Sequence, residues 1–419
     1  MGTHLITAAE GCWVTDDKGR RLLDGLAGLW CVNIGHGRRE ITDAVTRQMK
    51  QVAYYPSFFN TTTEPTILLA ERLARLAPAR LKRVVFSNSG SEANETALKI
   101  IRNYHKLKGQ PQRTKILTRE FAYHGVTLAT TSMTGLPSCT APFDLPLPGF
   151  LRVPAPYPYA VQSPLSPEAY GNWCIKETVR IIEKEGPETI AALFAEPIQG
   201  AGGVIVPPDG YLKALRKLCR DQGILFVADE VITGFGRMGD WFASTLWDLD
   251  PDLINVAKGL SSGYVPIGAT LVSDEVADVI LNQGYFAHGF TYTGHPVCTA
   301  AALANIEVIE SEKLVPRTRD ETGPYFQKKL AEFRSHPCVG EVRGFGLIGA
   351  LELVPKEGRA ALKPDSFLGV KVAAWIREEG AIARGIRDIV AVAPPLVVTK
   401  EEIDFLFKAI AAGIERLAK

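Results

Sequence analysis

Two residues of opposite charge each follow an apolar run near the middle of the chain, and they are the clearest candidates for chemistry. Asp229 lies in the run Ile224–Val231, and Lys258 follows in the segment Asp252–Gly263. Apolar runs of this length, rich in β-branched residues, predict strands that are buried on both faces of a parallel sheet. Ligands bind at the carboxyl ends of such strands, so we expect both side chains at one site.

A buried acid and a buried amine at one site permit two interpretations. Asp229 and Lys258 could form a structural ion pair. Alternatively, the acid could keep the nitrogen of a pyridine ring protonated while the lysine forms a Schiff base, which is what pyridoxal phosphate chemistry requires. The remaining motifs of the chain favour the second interpretation.

The composition of the 419 residues is typical of a soluble globular protein with one large domain or two. A net charge of +1 gives no strong field for nucleic acid or a membrane surface. No 18-residue stretch is free of charges and helix breakers, and the first residues do not resemble a targeting segment. The seven cysteines form no CxxC pair, which predicts reduced thiols and no zinc site. We expect a cytoplasmic protein without a metal, a nucleic-acid partner or a membrane partner.

The segment Arg83–Gly109 combines a strand, a polar turn and a long amphipathic helix. The turn contains Gly90 and Ser91, and Gly109 is placed to end the helix. Free N–H groups and the positive end of the helix dipole bind anions at such a helix start. We expect Gly90 and Ser91 to bind a phosphate, although a serine-capped helix without a ligand has the same pattern. The segment lacks the GK[ST] sequence of a P-loop.

Four further polar residues lie where predicted strands end or loops begin. Tyr123 and His124 follow a strand that starts at Lys115, and the tyrosine could stack on a planar cofactor. His124 could be a base, a structural residue or a solvent-facing one. Glu196 ends another predicted strand. Thr291 has a hydroxyl suited to a phosphate oxygen, but a threonine in a loop is also a common turn former.

Strands and helices alternate from about residue 83 to 310, which predicts an α/β fold with a mostly parallel sheet wrapped by helices. The stretch 136–172 is rich in proline and tyrosine, and we expect an irregular excursion there. The pattern then changes to a smaller α+β unit. We expect residues 1–45 and 315–419 to form the small domain, and residues 46–314 to form the large cofactor-binding domain.

Five segments in this order resemble the class III aminotransferases of the fold-type-I pyridoxal phosphate superfamily, over essentially the whole chain. They are SGSEANE (Ser89–Glu95), YHG (Tyr123–Gly125), EPIQG (Glu196–Gly200), the DEV…AKG stretch (Asp229–Gly259) and FTYTGHP (Phe290–Pro296). Each segment is weak evidence alone, but their combination and order are highly specific.

The resemblance implies roles for individual residues. Lys258 would form the Schiff base with pyridoxal phosphate, and Asp229 would pair with the pyridinium nitrogen. Val231 would pack on the ring face opposite Tyr123. Thr291 would reach the phosphate in the partner subunit, which implies a homodimer or a dimer of dimers. The cofactor-binding residues implied in total are Ser89, Gly90, Ser91, Tyr123, His124, Glu196, Asp229, Val231, Lys258 and Thr291.

Within the class, the chain is most similar to the amine:pyruvate and ω-amino acid transaminases. The resemblance implies that Trp30, Phe58 and Tyr123 border the substrate pocket. The ornithine and γ-aminobutyrate branches place a glutamine three residues after the ring-nitrogen acid, where this chain has Ile232.

The segment GAIARGIRD, near the end of the chain, resembles the part of the family that carries a mobile arginine. That arginine pairs with the carboxylate of the acceptor and swings away for an apolar amine. Arg384 fits this role best by position, and Arg387 is the alternative. Either residue could instead be a solvated surface arginine.

These observations together predict a transaminase that works in two half-reactions. An ω-amino acid or primary amine gives its nitrogen to the cofactor, and pyruvate then accepts it. Alternatives on the same scaffold are an aminomutase, a decarboxylating enzyme, or a transaminase with 2-oxoglutarate as the acceptor. A non-catalytic protein that retains the cofactor fold is a further alternative, but the joint presence of Lys258, Asp229, Tyr123 and Thr291 argues against it.

Overall fold

The computed structural model describes residues 3–418 as three β-sheets and their surrounding helices. The strands are β1 (Ile6–Glu10), β2 (Trp13–Asp16), β3 (Arg21–Asp24), β4 (Leu81–Ser87), β5 (Lys115–Arg119), β6 (Phe150–Val153), β7 (Ile190–Ala195), β8 (Leu225–Asp229), β9 (Leu253–Val256), β10 (Gly268–Ser273), β11 (Val339–Phe345), β12 (Ile348–Leu353), β13 (Ala381–Ile382), β14 (Arg384–Ile386) and β15 (Ile389–Val392).

The helices range from single turns to 19 residues in length. They are α1 (Ala27–Trp30), α2 (Arg39–Gln51), α3 (Glu64–Leu76), α4 (Gly90–Leu107), α5 (Leu128–Met133), α6 (Pro137–Thr140), α7 (Pro167–Glu185), α8 (Tyr211–Asp221), α9 (Ala243–Leu246), α10 (Asp274–Gln283), α11 (Pro296–Ser311), α12 (Leu314–Arg317), α13 (Gly323–Ala331), α14 (Leu368–Glu378) and α15 (Lys400–Ala418).

The central sheet has seven strands in the order β4-β10-β9-β8-β7-β5-β6. The strands from β9 to β6 run parallel, whereas β10 is antiparallel to both of its neighbours. Every residue of β7, β8 and β9 is buried, because helices cover both faces of the sheet. The predicted α/β fold with a mostly parallel sheet is therefore confirmed, including the two strands that precede Asp229 and Lys258.

The two ends of the chain build the other sheets. One has the order β1-β2-β3-β13, and the other has the order β11-β12-β15-β14. Strand β13 pairs in parallel with β3, where Ala381 faces Leu23, so the C-terminal part of the chain completes an N-terminal sheet. This pairing is consistent with a small domain drawn from both ends, and the exact domain limits stay a prediction.

The stretch 136–172 is less irregular than its prolines predict. It contains the short helix α6, the strand β6 and the beginning of α7, which is capped by the side chain of Ser166. Strand β6 pairs only with β5 and forms the edge of the central sheet. An edge position needs one hydrogen-bonded side only, so a four-residue strand between prolines is stable there.

Two negative findings bear on the function. Of the helices within residues 3–418, none is long and apolar enough to cross a membrane. The same part of the chain holds no group of three or more His, Cys, Asp or Glu side chains arranged for a metal ion.

Candidate active site

The central strands deliver the acid and the amine to the same edge of the sheet. Asp229 is the last residue of β8, and Lys258 begins a short turn two residues after the end of β9. The two strands are parallel neighbours in which Asp229 faces Asn255. The site predicted at these strand ends is therefore formed by adjacent strands.

The carboxylate of Asp229 is buried and accepts hydrogen bonds from three donors. Its Oδ2 atom lies 2.7 Å from Nδ1 of His124 and 2.9 Å from Nδ2 of Asn94. Its Oδ1 atom accepts the backbone N–H of Val231 at 3.2 Å. His124 is also buried, which rules out the solvent-facing interpretation of this histidine. These bonds compensate for the loss of water around the charged carboxylate.

Lys258 occupies a strained turn. Its φ angle is +42°, a left-handed value that is uncommon for a residue with a side chain. The buried Asn305 stabilises this turn, since its Nδ2 atom donates to the carbonyl oxygens of Gly259 and Leu260 at 2.9 and 3.0 Å. The strain is thus offset by side-chain bonds to the two residues that follow the lysine.

The surroundings of Lys258 favour its neutral amine. Burial lowers the pKa of this lysine below its ordinary value of 10.5, while the nearby carboxylates of Asp229 and Glu196 oppose the shift. The neutral amine is the form that attacks an aldehyde and that accepts a proton. A lysine at this position is therefore prepared for both tasks.

The start of helix α4, beside this pair, has free N–H groups of the kind that bind an anion. Ser89 is the N-cap, and its hydroxyl accepts the N–H of Glu92 at 3.2 Å. The cap leaves the N–H groups of Gly90 and Ser91 without acceptors inside the helix. A Cβ atom at Gly90 would lie 3.1 Å from both methyl carbons of Val231, so a larger residue there would force the valine to shift. The same helix start therefore borders both Val231 and the Lys258 turn.

The Tyr123–Gly125 segment lies against the same helix start. Gly125 has a φ of +139°, and a Cβ there would be 2.6 Å from Oγ of Ser91. The buried Glu196 positions the segment, because its two carboxylate oxygens accept the N–H groups of Tyr123 and Gly200 at 2.9 and 3.0 Å. Burial raises the pKa of the Glu196 carboxyl. Glu196 therefore acts as a local scaffold for the tyrosine.

Trp30 and Arg384 lie together on the other side of the site. The guanidinium of Arg384 lies 5.0 Å from the centre of the Trp30 ring. Trp30 is buried in an apolar cluster with Ile232, against which Tyr123 packs. Arg387 is exposed at the surface. The structure thus brings Trp30, Tyr123 and Arg384 together.

Phe58 and Thr291 lie on a different face of the chain. Phe58 packs against the backbone of Gly289, in the loop that carries Thr291. The backbone carbonyl of Thr291 accepts the hydroxyl of Tyr54 at 2.8 Å, and the residue is exposed. Phe58 therefore shares a surface with Thr291, whereas Trp30 packs in the interior cluster.

The sequence analysis did not identify three buried polar residues at the site, Asn94, Asn255 and Thr270. Asn94 lies in the SGSEANE segment, and Asn255 interrupts the otherwise apolar strand β9. A polar side chain in a fully buried strand requires a hydrogen-bonding partner, so Asn255 was the available signal.

The residues present fit pyridoxal phosphate. The helix start at Gly90 and Ser91 suits a phosphate. Two of the three hydrogen bonds of Asp229 are on Oδ2, so Oδ1 can accept a protonated ring nitrogen. Val231 lies beside this oxygen. Lys258 suits an aldehyde.

The fold and the site define an α/β enzyme in which a lysine and a carboxylate meet at the ends of adjacent strands. The sequence profile of the aminotransferase class III family matches residues 2–414. The chain therefore belongs to the class III aminotransferases, and it is a transaminase.

Individual relatives cover nearly the whole chain. The putrescine–pyruvate aminotransferase of Pseudomonas aeruginosa is 44% identical over 417 residues, which are 100% of this chain and 91% of the relative. An (S)-enantioselective omega-transaminase from Thermomicrobium roseum is 44% identical with a TM-score of 0.96, over 100% of this chain and 94% of that chain. The omega-transaminase of Pseudomonas jessenii in complex with PMP is 40% identical with a TM-score of 0.96, over 100% and 93% of the chains.

The lowered pKa of Lys258 predicts a pH-dependent stability in the cofactor-free protein. Between the lowered pKa and 10.5, the unfolded chain holds the proton and the folded chain does not, so the free energy of unfolding rises with pH. Lys258→Met removes this titration. We expect the cofactor-free variant to be more stable than the wild type near pH 7, by a margin that shrinks towards pH 10.

Thermal unfolding at equal protein concentration and a series of pH values measures this margin. Lys176→Met, at an exposed lysine, is the matched control for the loss of an amine. A margin for Lys258→Met that stays constant across the pH series would contradict the burial of a neutral amine.

Proposed function

We propose that the protein is a pyridoxal phosphate-dependent transaminase that moves the amino group of an ω-amino acid or primary amine to pyruvate. The observation that carries the proposal is the buried Asp229, which His124 and Asn94 hold next to a lysine whose pKa burial lowers. The name of the Pseudomonas aeruginosa relative supports an amine donor and pyruvate as the acceptor. The PMP in the Pseudomonas jessenii relative supports the cofactor.

Each residue has a defined task in this proposal. The N–H groups of Gly90 and Ser91 bind the phosphate at the positive end of the α4 dipole. Oδ1 of Asp229 holds the proton on the ring nitrogen. The bound ring supplies an electron sink for the bonds at the reacting carbon. Nζ of Lys258, whose neutral form burial favours, would accept a proton during the reaction and return it.

Arg384 is the residue that we assign to the carboxylate of the acceptor. Its guanidinium is partly buried against the Trp30 ring and forms no ion pair with any residue between 3 and 418. A partly buried cation without a carboxylate partner favours an anionic ligand. Arg387 is exposed, and its side chain only approaches the carbonyl of Pro364, at 3.4 Å, which supports Arg384 over this alternative.

A spectral half-reaction tests the proposed chemistry. The protein is loaded with pyridoxal phosphate and mixed with one amine in the absence of any keto acid. We expect the visible absorbance of the aldehyde form to convert to that of the amine form, since the proposed kinetics are ping-pong. Pyruvate should then restore the original spectrum, and 2-oxoglutarate in its place tests the alternative acceptor.

The rival reactions predict different results in that experiment. An aminomutase would form product without any acceptor, and a decarboxylating enzyme would release carbon dioxide. No conversion with a diamine, a simple primary amine or an ω-amino acid would contradict the transaminase proposal for these donors. Failure of the wild type to bind pyridoxal phosphate at all would contradict the cofactor assignment.

We also propose that the working unit contains a homodimer whose interface includes the Thr291 loop. Large apolar side chains on this face are exposed in the single chain, among them Phe59 at 92% and Tyr285 at 84%. The rings of Tyr54 and Tyr292 lie 5.9 Å apart on the same face. Apolar patches of this kind are typical of protein interfaces. A second copy would cover the patch and bring Thr291 to the partner's phosphate.

Subunit complementation tests the role of Thr291 in the partner's site. Lys258→Ala removes the amine, and Thr291→Asp places a carboxylate against the phosphate. We expect each variant alone to be inactive or nearly so. In a mixed dimer purified through two different tags, one site combines the intact Lys258 with the intact Thr291, so about half of the wild-type activity should return.

The unmixed variants, purified through the same two steps, are the controls for tag carry-over. Mixed dimers with no activity above these controls would contradict the proposal, because Thr291 would then act only within its own chain. A separate measurement of the mass in solution tests whether the protein is a homodimer.

Two further assignments belong to this proposal. The change of pattern in the sequence and the pairing of β13 with β3 support a small domain of residues 1–45 and 315–419. The seven cysteines, all free thiols, support a cytoplasmic location.

A further inference from the structure

A chain of buried hydrogen bonds leads from Thr270 on β10 to the carboxylate of Asp229 on the central strand β8. Asp229, Asn255 and Thr270 are direct neighbours on three adjacent strands, in the registers Asp229–Asn255 and Asn255–Thr270. Asn94 on helix α4 packs over this row. All four residues are at most 4% exposed, so water does not compete for their polar atoms.

The chain has a single direction, because Nδ2 of Asn94 faces the backbone carbonyl oxygens of His124 and Gly90, which can only accept. Oδ1 of Asn94 therefore accepts from Nδ2 of Asn255 at 2.8 Å, and this turns Oδ1 of Asn255 towards the Thr270 hydroxyl, also at 2.8 Å. The same hydroxyl lies 2.9 Å from the carbonyl oxygen of Ala93. An asparagine amide has one acceptor end and one donor end, so the three bonds fix its orientation.

The donor end of Asn94 joins three parts of the site. Its Nδ2 atom lies 2.9 Å from Oδ2 of Asp229, 2.9 Å from the carbonyl oxygen of His124 and 3.2 Å from that of Gly90. Gly90 begins the helix proposed to bind the phosphate. One side chain therefore contacts the acid, the segment after Tyr123 and the anion site.

The bonds of Asp229 are distributed unevenly between its two oxygens. Asn94 and His124 both donate to Oδ2, whereas Oδ1 accepts only the longer bond from Val231. Oδ1 therefore keeps the capacity to accept a further donor. A carboxylate held in this way cannot exchange its oxygens without breaking the two shortest bonds.

We propose that Asn94 is a positioning residue that fixes Oδ1 of Asp229 as the oxygen facing the cofactor ring and aligns that ring with the phosphate site at Gly90. The inference rests on the proposed function, because it concerns residues that act on pyridoxal phosphate. Asn94 itself contacts neither the reacting atoms nor the substrate. Its effect passes through Asp229 and the start of α4.

Asn94→Asp tests this role, since it preserves the shape of the side chain and replaces the donor by a carboxyl group. Two neighbouring carboxyls do not both remain charged, so the fixed amide donor to Oδ2 of Asp229 is replaced by a group that shares one proton with it. We expect kcat and the affinity for pyridoxal phosphate each to fall on the order of 10- to 100-fold, as for other residues that orient a binding group. The KM for pyruvate should change by less than about twofold, because substrate contacts are intact.

Asn103→Asp is the matched control, because it makes the same chemical change farther along helix α4. Nδ2 of Asn103 has no hydrogen-bond partner among the described residues. Thr270→Val is a second test that does not place a charge beside Asp229. It removes the hydroxyl that faces Oδ1 of Asn255 at the far end of the chain, and we expect the same changes in a smaller degree.

The measurements are kcat and KM for a primary amine and pyruvate, and titration of cofactor-free protein with pyridoxal phosphate followed by absorbance and thermal unfolding. A merely structural role would lower the unfolding temperature and leave kcat per loaded site and KM unchanged, which would overturn the inference. Equal losses in Asn103→Asp would also overturn it. If Asn94→Asp does not fold, Thr270→Val decides, and wild-type values for that variant contradict the proposal.

These outcomes are separable from the proposed function itself. A wild-type protein that neither binds pyridoxal phosphate nor completes the half-reaction would contradict the proposed function. A wild type that does both, together with an Asn94→Asp variant of equal kcat and cofactor affinity, would overturn only the role of Asn94.

Discussion

The structure of the site depends on supplying hydrogen bonds to one buried carboxylate, that of Asp229. Burying an ion costs on the order of several kcal/mol unless hydrogen bonds replace the lost water. Asp229 meets this requirement with donors from three different segments, His124, Asn94 and the backbone of Val231. Strand β8 fixes the position of the acid, strand β5 leads to the histidine and helix α4 carries the asparagine. The hydrogen bonds of this one side chain thus join three elements of the fold.

The lysine is subject to the opposite constraint. Burial disfavours its charge, and Asn305 supports its left-handed turn by binding the two following carbonyls. Asn305 lies on helix α11, which begins directly after the loop that carries Thr291. The same helix therefore supports the lysine of its own site and carries, at its start, the loop proposed to reach the partner's site. The bonds of Asn305 add no contact to substrate, but they help to determine where the amine of Lys258 lies.

The sequence was sufficient for the features that depend on local pattern. The apolar runs before Asp229 and Lys258 predicted buried strands because residues hidden on both faces leave no alternation. The helix after Ser89 was predicted from its cap and period. Strand β6 was missed, because four residues between prolines carry too little pattern, and its place at the edge depends on β5.

The polar network could not be predicted in the same way. Asn94 and Asp229 are separated by 135 positions, and only the packing of α4 over β8 brings them together. Asn255 gave a sign of a buried polar contact, but its partner on another element was not identifiable from the chain. Phe58 packs against Gly289, in the loop that carries Thr291, and its predicted place in the wall of the substrate pocket stays a prediction.

The most direct test of the central claim is the protonation of the cofactor's ring nitrogen in the loaded protein. Nitrogen NMR of pyridoxal phosphate labelled with ¹⁵N in the ring reports this proton without relying on turnover. We predict the signal of a protonated pyridine nitrogen at neutral pH in the wild type, and its loss in Asp229→Ala. A neutral ring nitrogen in the wild type would contradict the account, because Asp229 and the bonds that hold it would then have no charge to stabilise.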